Sequence, residues 1–104
     1  MDKQERLRRA SAVKTAATLQ EEQAALRGLP GVDLRYDLPI DRDKVRALYT
    51  HDMDADDLGD FHAVAARFSL PWERGARRYY VPVQQAFCLQ ETLEAEGFIV
   101  AHSL

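Results

Sequence analysis

Apolar residues near the start of the chain recur every three or four positions, which is the spacing of one helix face. Residues 2 to 27 contain no Gly or Pro and are rich in strong helix formers, and Gly28 and Pro30 follow as a stop signal. We therefore predict one long helix over residues 2 to 27. We expect residues 1 to 6 to fray, because they are almost wholly polar. The apolar stripe of this helix consists of Ala12, Ala16, Leu19 and Leu26.

From residue 32 the pattern changes to strict alternation of apolar and polar residues, which predicts a strand over residues 32 to 40 with one face towards solvent. Pro39 places the end of this strand at a sheet edge or outside the ladder, because proline cannot donate a ladder hydrogen bond. Two later segments also favour strands, one rich in β-favouring residues and one continuously apolar. They span residues 77 to 83 and 98 to 103.

Three further segments have the apolar spacing and the caps of helices, and they span residues 42 to 51, 55 to 69 and 84 to 96. Asp41 is a suitable N-cap for the first, Asp54 or Asp56 for the second, and Gly97 stands where the third ends. The predicted fold is α+β, with about four helices packed on a small three-stranded sheet. A right-handed crossover through the last helix would place the last two strands side by side or one strand apart.

Length and composition place the chain among small globular proteins. It has 104 residues, of which 46% are hydrophobic and 30% charged, so we expect residues 1 to 104 to form a single domain. Its one cysteine, Cys88, excludes an intrachain disulfide and a cysteine-based zinc cluster. The sequence shows neither the apolar run of a secretory signal nor a stretch of membrane-spanning length. We therefore expect a cytoplasmic protein without a membrane partner.

The net charge of −3 is concentrated in the middle of the chain, in an acidic cluster. Its first three members have the spacing of a calcium loop, but the required Gly and Glu positions hold Asp57 and Ala63. We therefore predict no metal and no cofactor. The carboxylates either favour the start of the following helix or form a negative surface for a protein with a basic surface. The acidic cluster comprises Asp52, Asp54, Asp56, Asp57 and Asp60.

A second candidate site mixes arginines with aromatic residues just after the acidic cluster. Such a mixture is typical of protein interfaces, and it is equally suited to stacking bases and holding phosphates. A purely structural alternative is that the tryptophan and one tyrosine close the edge of the core while the arginines pair with acids. We call this set the arginine–aromatic patch, and it comprises Trp72, Arg74, Arg77, Arg78 and Tyr80.

The chain lacks a recognisable catalytic motif, because its serines, histidines and cysteine lie outside any strained-turn motif and its glycines are dispersed singly. We therefore expect a non-enzymatic protein-binding module, such as an inhibitor, an adaptor or a subunit, that acts through one or both candidate sites. The alanine-rich stripe of the first helix permits close approach of another backbone, so a homodimer through that helix is a further expectation.

The alternative function is a nucleic-acid-binding accessory protein. Over roughly residues 10 to 83, the predicted order of helices and strands resembles that of winged helix-turn-helix domains. In that interpretation Arg74, Arg77 and Arg78 would contact phosphates. Two features oppose it, since the helix in the recognition position presents Asp57 and Asp60 and a helix replaces the hairpin of the wing.

Overall fold

The computed structural model describes residues 1–35, 44–50 and 53–103. These residues form four helices and a five-stranded mixed sheet, which confirms the α+β class. The predicted three-stranded sheet is wrong, because two of the five strands were assigned to a helix and to a loop. The helices are α1 (Lys3–Lys14), α2 (Leu19–Leu26), α3 (Ala55–Arg67) and α4 (Val83–Ala95). The strands are β1 (Gly31–Arg35), β2 (Val45–Thr50), β3 (Trp72–Glu73), β4 (Arg78–Pro82) and β5 (Ile99–Ser103).

The strands lie side by side in the order β3-β4-β2-β1-β5. Neighbouring strands are antiparallel except for β1 and β5, which are parallel. β4 and β5 therefore run in the same direction, as a crossover requires, but β1 and β2 lie between them. The prediction that they are side by side or one strand apart is wrong, because a strand absent from the prediction occupies the centre of the sheet.

That central strand is β2, and the helix predicted over residues 42 to 51 is wrong over its described part. The spacing of Val45, Leu48 and Tyr49 fits one face of a helix, but the segment pairs with β1 on one side and β4 on the other. Ala47 and Leu48 are both 0% exposed, so tertiary packing decides the conformation. The winged-helix order of elements also fails here, because it needs a helix at this position.

The long helix predicted over residues 2 to 27 is also wrong, since α1 ends at Lys14 and α2 begins at Leu19. Thr18 caps α2 by accepting a hydrogen bond from the Glu21 amide, and the Glu21 carboxylate accepts one from the Ala17 amide. These reciprocal bonds resemble a capping box and begin a new helix. Leu19 is 69% exposed, so the predicted stripe is not a continuous buried face.

The remaining predicted elements are close to those observed. α3 and α4 correspond to the helices predicted over 55 to 69 and 84 to 96, and β4 and β5 to the strands over 77 to 83 and 98 to 103. β1 forms the described part of the strand predicted over residues 32 to 40. Residues 36 to 40 of that prediction, including Pro39, lie outside the described residues.

The core lies between one face of the sheet and the two helices α3 and α4. Residues that pair across the strands share a face, so alternate residues of β1, β2 and β4 enter this core. The opposite surface of the sheet is here called the second face. The core residues are Val32, Leu34, Leu48, Tyr79 and Val81 from the sheet, Phe61, Val64 and Ala65 from α3, Leu89 and Leu93 from α4, and Phe98.

The turn between α4 and β5 brings α1 into unusually close contact with Gly97. This glycine has a φ of +90°, and a Cβ built on it would lie 2.5 Å from the Cβ of Arg6 and 2.9 Å from the amide nitrogen of Leu7. Both the backbone conformation and the neighbouring backbone therefore favour glycine at this position. The contact fixes where α1 crosses the end of α4.

Replacing Gly97 with alanine should lower the free energy of unfolding by about 2 kcal/mol or more, because the new Cβ adds strain and forces α1 away. Gly59→Ala is the matched control, since a Cβ there, inside α3, meets nothing within 4 Å. That control should raise the free energy of unfolding by about 0.5–1 kcal/mol. Urea unfolding measures both changes, and a Gly97→Ala protein as stable as the wild type would contradict the close contact.

Candidate functional site

The acidic cluster lies at the start of α3, where its carboxylates make intramolecular contacts. Asp54 is the N-cap, and its side chain accepts a hydrogen bond of 2.8 Å from the Asp57 amide. The amino group of Met1 also lies 2.8 Å from Asp54 and lowers the pKa of that carboxyl. Asp57 is buried, Asp60 is half-buried and Asp56 is exposed. Asp52 lies outside the described residues.

The partner of Asp57 and Asp60 is Arg6, whose side chain is completely buried. Its Nη1 donates to Asp57 at 2.9 Å, and its Nη2 lies 2.8 Å from Asp60, an ion pair without the alignment of a hydrogen bond. Its Nε donates to the backbone carbonyl of Glu96, and its guanidinium lies 4.7 Å from the ring centre of Phe98. Three of the five carboxylates thus face intramolecular cations.

The contacts of Arg6 also concern the predicted fraying of residues 1 to 6. Residues 1 to 6 were expected to fray on sequence grounds, and fraying stays a prediction. It would break the bonds of Arg6 and expose the buried carboxylate of Asp57. The acidic cluster is thus coupled to the stability of α1, because the same carboxylates that give the segment its charge hold that helix.

The structure divides the arginine–aromatic patch between the two faces of the sheet. Trp72 belongs to the core side, where its ring centre lies 4.7 Å from that of Tyr79 and 5.0 Å from that of His62. His62 Nδ1 lies 2.5 Å from the hydroxyl of Tyr79, and burial raises the pKa of this tyrosine. Trp72 therefore closes the edge of the core, as the structural alternative predicted.

Arg78 and Tyr80 lie on the second face, in a cluster with Tyr49 and Glu73. Arg78 donates to Glu73 at 3.1 Å, to the Tyr49 hydroxyl at 2.8 Å and to the Tyr80 hydroxyl at 3.3 Å. The Tyr80 hydroxyl also donates to Glu73. The cluster follows from strand register, because Arg78 is paired with Tyr49 on β2 and with Glu73 on β3.

These hydrogen bonds shift the pKa values of Glu73 and Arg78. The Tyr80 hydroxyl and then the Arg78 guanidinium lower the pKa of the Glu73 carboxyl. The hydroxyls of Tyr49 and Tyr80 and the Glu73 carboxylate raise the pKa of Arg78. Glu73 and Arg78 therefore remain ionised well beyond neutral pH in both directions, and the cluster keeps its geometry across the physiological range.

The cluster continues across β1 through Arg35. The guanidinium of Arg35 lies 4.5 Å from the ring centre of Tyr49, and its Nη2 lies 3.2 Å from Asp33. Asp33 is paired with Tyr49 in the sheet, so both point to the second face. We use the name tyrosine–arginine cluster for Asp33, Arg35, Tyr49, Glu73, Arg78 and Tyr80.

Arg74 and Arg77, the other predicted members of the patch, lie in the turn between β3 and β4 and are exposed. Arg77 has a φ of +52°, a conformation in which glycine and asparagine are favoured over other residues. The structure thus keeps Arg78 and Tyr80 together but places Arg74 and Arg77 at the sheet edge and Trp72 on the opposite face.

Sequence reasoning missed five contributors to these sites, namely Arg6, Asp33, Arg35, Tyr49 and Glu73. Tyr49 was assigned to a helix, although Val45, Tyr49 and Thr50 are residue types that favour strands. Arg6 had no local signal, because its acidic partners on α3 lie far along the chain. Only the pairing of strands and the packing of α1 bring these residues to their sites.

No family model matches the chain, and no curated protein or solved structure matches it significantly. Among residues 1–35, 44–50 and 53–103, no group of three or more His, Cys, Asp or Glu side chains is placed to hold a metal ion. Over the same residues, every helix is too short or too polar to cross a membrane. Function must therefore be inferred from the geometry of the chain's own side chains.

Replacing Arg6 with methionine should lower the free energy of unfolding by about 3–5 kcal/mol, because the buried Asp57 would lose its closest cation and keep the more distant amino group of Met1, 3.7 Å away. Arg8→Met is the matched control. Arg8 forms an exposed pair with Glu5, so its loss should change the free energy of unfolding far less than the loss of Arg6 does. Urea unfolding separates these outcomes, and equal losses would contradict a structural role for the buried ion pair.

Glu73→Gln should reduce the dependence of stability on acid pH. The pKa of Glu73 is lowered in the folded protein, so its contribution is present above its ordinary value of 4.5 and is lost as pH falls through the folded value. The wild type should therefore have the higher thermal midpoint at neutral pH, and the difference should narrow below about pH 4.5. A difference that is constant from pH 7 to pH 3 would contradict the ionised cluster.

Proposed function

We propose that this chain is a small protein-binding module that contacts its partner through the tyrosine–arginine cluster on the second face. The observation that carries the proposal is the arrangement of Tyr49, Arg78 and Tyr80, half-buried side chains held by mutual hydrogen bonds on a sheet surface. Tyrosine and arginine are among the residues that contribute most to protein interfaces.

The hydrogen bonds within the cluster favour binding because they fix the side chains before a partner arrives. A side chain that becomes ordered on association costs about 0.5–1.5 kcal/mol. Arg78 and Tyr80 already share the Glu73 carboxylate, so little of that cost remains. The aromatic rings supply apolar area, and the charged groups around them supply orientation.

The charges of the cluster identify the kind of partner. Arg35 is paired with Asp33 and Arg78 with Glu73, so each of these arginines has a carboxylate beside it. The Arg78 donors on Nε, Nη1 and Nη2 are each engaged inside the cluster, which leaves few for phosphates. These features support binding to a protein surface with an apolar centre and mixed charge rather than to a polyanion.

The acidic cluster supports the proposal less well. Asp57 and Asp60 are held by Arg6, and Asp54 caps α3. A basic partner would have to compete with these contacts, and the competition would weaken the packing of α1. Among the described carboxylates of the cluster, Asp56 is the most suitable for an external cation, because it is exposed.

A comparison of capture by two variants tests the proposal. Wild type, Tyr80→Ala and Phe87→Ala are immobilised and exposed to extract of the source cell, and bound proteins are quantified by mass spectrometry. Phe87 is the matched control because it is an exposed aromatic residue on α4, which packs on the core side. We expect a protein that binds wild type and Phe87→Ala but is lost with Tyr80→Ala.

The captured protein is then purified and titrated by calorimetry. Removing an interface residue of this type costs 2 kcal/mol or more, so the Kd of Tyr80→Ala should rise by about thirtyfold. Circular dichroism and thermal midpoints confirm that both variants fold. If every captured protein binds Tyr80→Ala as well as wild type, the second face is not the interface.

Nucleic-acid binding is the second candidate, and it is favoured by the exposed Arg74 and Arg77 in the β3–β4 turn. It predicts that a fluorescent single-stranded oligonucleotide binds at low salt, with an affinity that falls steeply as salt rises. The double variant Arg74→Glu, Arg77→Glu should abolish that binding. No change in anisotropy at low salt would exclude this candidate and leave the protein-binding proposal intact.

A further inference from the structure

The two edges of the sheet differ in length and chemistry. One edge is β3, which has two residues and carries Glu73. The other is β5, with five residues, and no described strand pairs with its outer side. Ile99 to Ser103 include no Lys, Asp, Glu or Pro, which are the residues that usually protect an edge from pairing. β5 is therefore the edge available to another strand.

The register of β5 determines which backbone groups face outward. Ile99 donates its amide hydrogen to the carbonyl of Pro30, so Ile99 and Ala101 direct their backbone groups towards β1. Because these directions alternate along a strand, the amides and carbonyls of Val100 and His102 point to the outer side. Ala101 and His102 are exposed, so this edge is accessible.

An apolar groove lies beside the start of β5, between it, α1 and the end of α4. Its volume is about 180 Å³, and Ala10, Val13, Phe98 and Val100 contribute apolar surface. Lys14 of α1 and Glu94 of α4 also line it. The groove thus combines one positive and one negative group with an apolar floor.

We propose that a second copy of this chain pairs with β5, antiparallel to it, about a two-fold axis at Ala101. Val100 then exchanges two backbone hydrogen bonds with His102 of the partner subunit, and symmetry repeats the pair. Ala101 meets its own copy in a pair without backbone hydrogen bonds, where side chains are closest, and its small size permits the approach. The two sheets form one continuous sheet.

Charge complementarity favours a second copy over a foreign strand. The groove offers Lys14 and Glu94 together, so a uniformly basic or acidic partner would face one like charge. A copy related by a two-fold axis presents the same two opposite charges, so neither sign of charge is in excess across the interface. In this dimer α1 lines the groove beside the pairing strands, whereas the homodimer expected from the sequence used the first helix itself.

Charge substitutions at the two-fold axis test the proposal. In Ala101→Asp or Ala101→Lys, two like charges lie opposite each other, so each variant should lose the dimer. An equimolar mixture of the two variants should restore it, because each aspartate then faces a lysine. Sedimentation velocity over a wide concentration range measures the species. Ala63→Asp, on an exposed position of α3, is the control and should remain dimeric.

His102→Pro provides a second test that spares the monomer fold. The His102 amide points outward, so proline removes a donor from the interface and leaves the hydrogen bonds to β1 in place. We expect loss of the dimer with circular dichroism like that of the wild type. A wild type that is monomeric at all concentrations, a dimer that survives Ala101→Asp and His102→Pro, or a mixture of the charged variants that stays monomeric would each overturn the proposal.

This test is independent of the proposed function, because sedimentation needs no other protein. Tyr80→Ala leaves the β5 edge unchanged and should keep the dimer even though its partner is lost. A monomeric wild type that still binds a partner through Tyr80 would overturn the dimer alone. A dimer without a partner would overturn only the binding proposal.

Discussion

The buried guanidinium of Arg6 is the interaction on which the arrangement of α1, α3 and the end of α4 depends. It connects α1 to two carboxylates of α3 and to the last carbonyl before Gly97. A charged group at 0% exposure is tolerated only with paired charges and hydrogen bonds, which these neighbours supply. Gly97, which has no side chain, allows the backbone of α1 at Arg6 and Leu7 to pack directly against the turn after α4. An arginine, a carboxylate and a glycine from separate segments therefore act as one structural unit.

Because the acidic cluster is used in this way, the binding surface that we propose lies elsewhere, on the second face. The pleat of the sheet sends alternate residues to opposite sides, and the register of β1, β2, β4 and β3 aligns Asp33, Tyr49, Arg78 and Glu73 in a row. A row of this kind is held by rigid strands rather than by a loop. Interface residues on regular elements keep their geometry better than residues on loops, which favours preorganised recognition.

Local signals predicted α3 and α4 well, because their caps and apolar spacing are contained within each segment. The capping residues Thr18 and Glu21 are also a local signal, and they were outweighed by the high helix propensity on both sides. β2 was not predictable in this way, since its apolar spacing fits a helix and only hydrogen bonds from β1 and β4 make it a strand. The residues of the arginine–aromatic patch were identified from local composition. Their division between the two faces of the sheet follows from the pairing of β3 with β4, which local composition does not reveal.

The pairing of β1 with β5 also imposes an order in time. Gly31 lies opposite Ile99, and three of the described strands and two of the described helices lie between them in the chain. Contacts between such distant residues form late, because a long segment of chain must first be closed. In a folding intermediate that contains β1, β2 and β4 but not β5, β1 is the edge strand. The backbone groups of that edge stay open to pairing with another chain until β5 closes over them, so the slowest contact of the fold is also the one that protects it from aggregation.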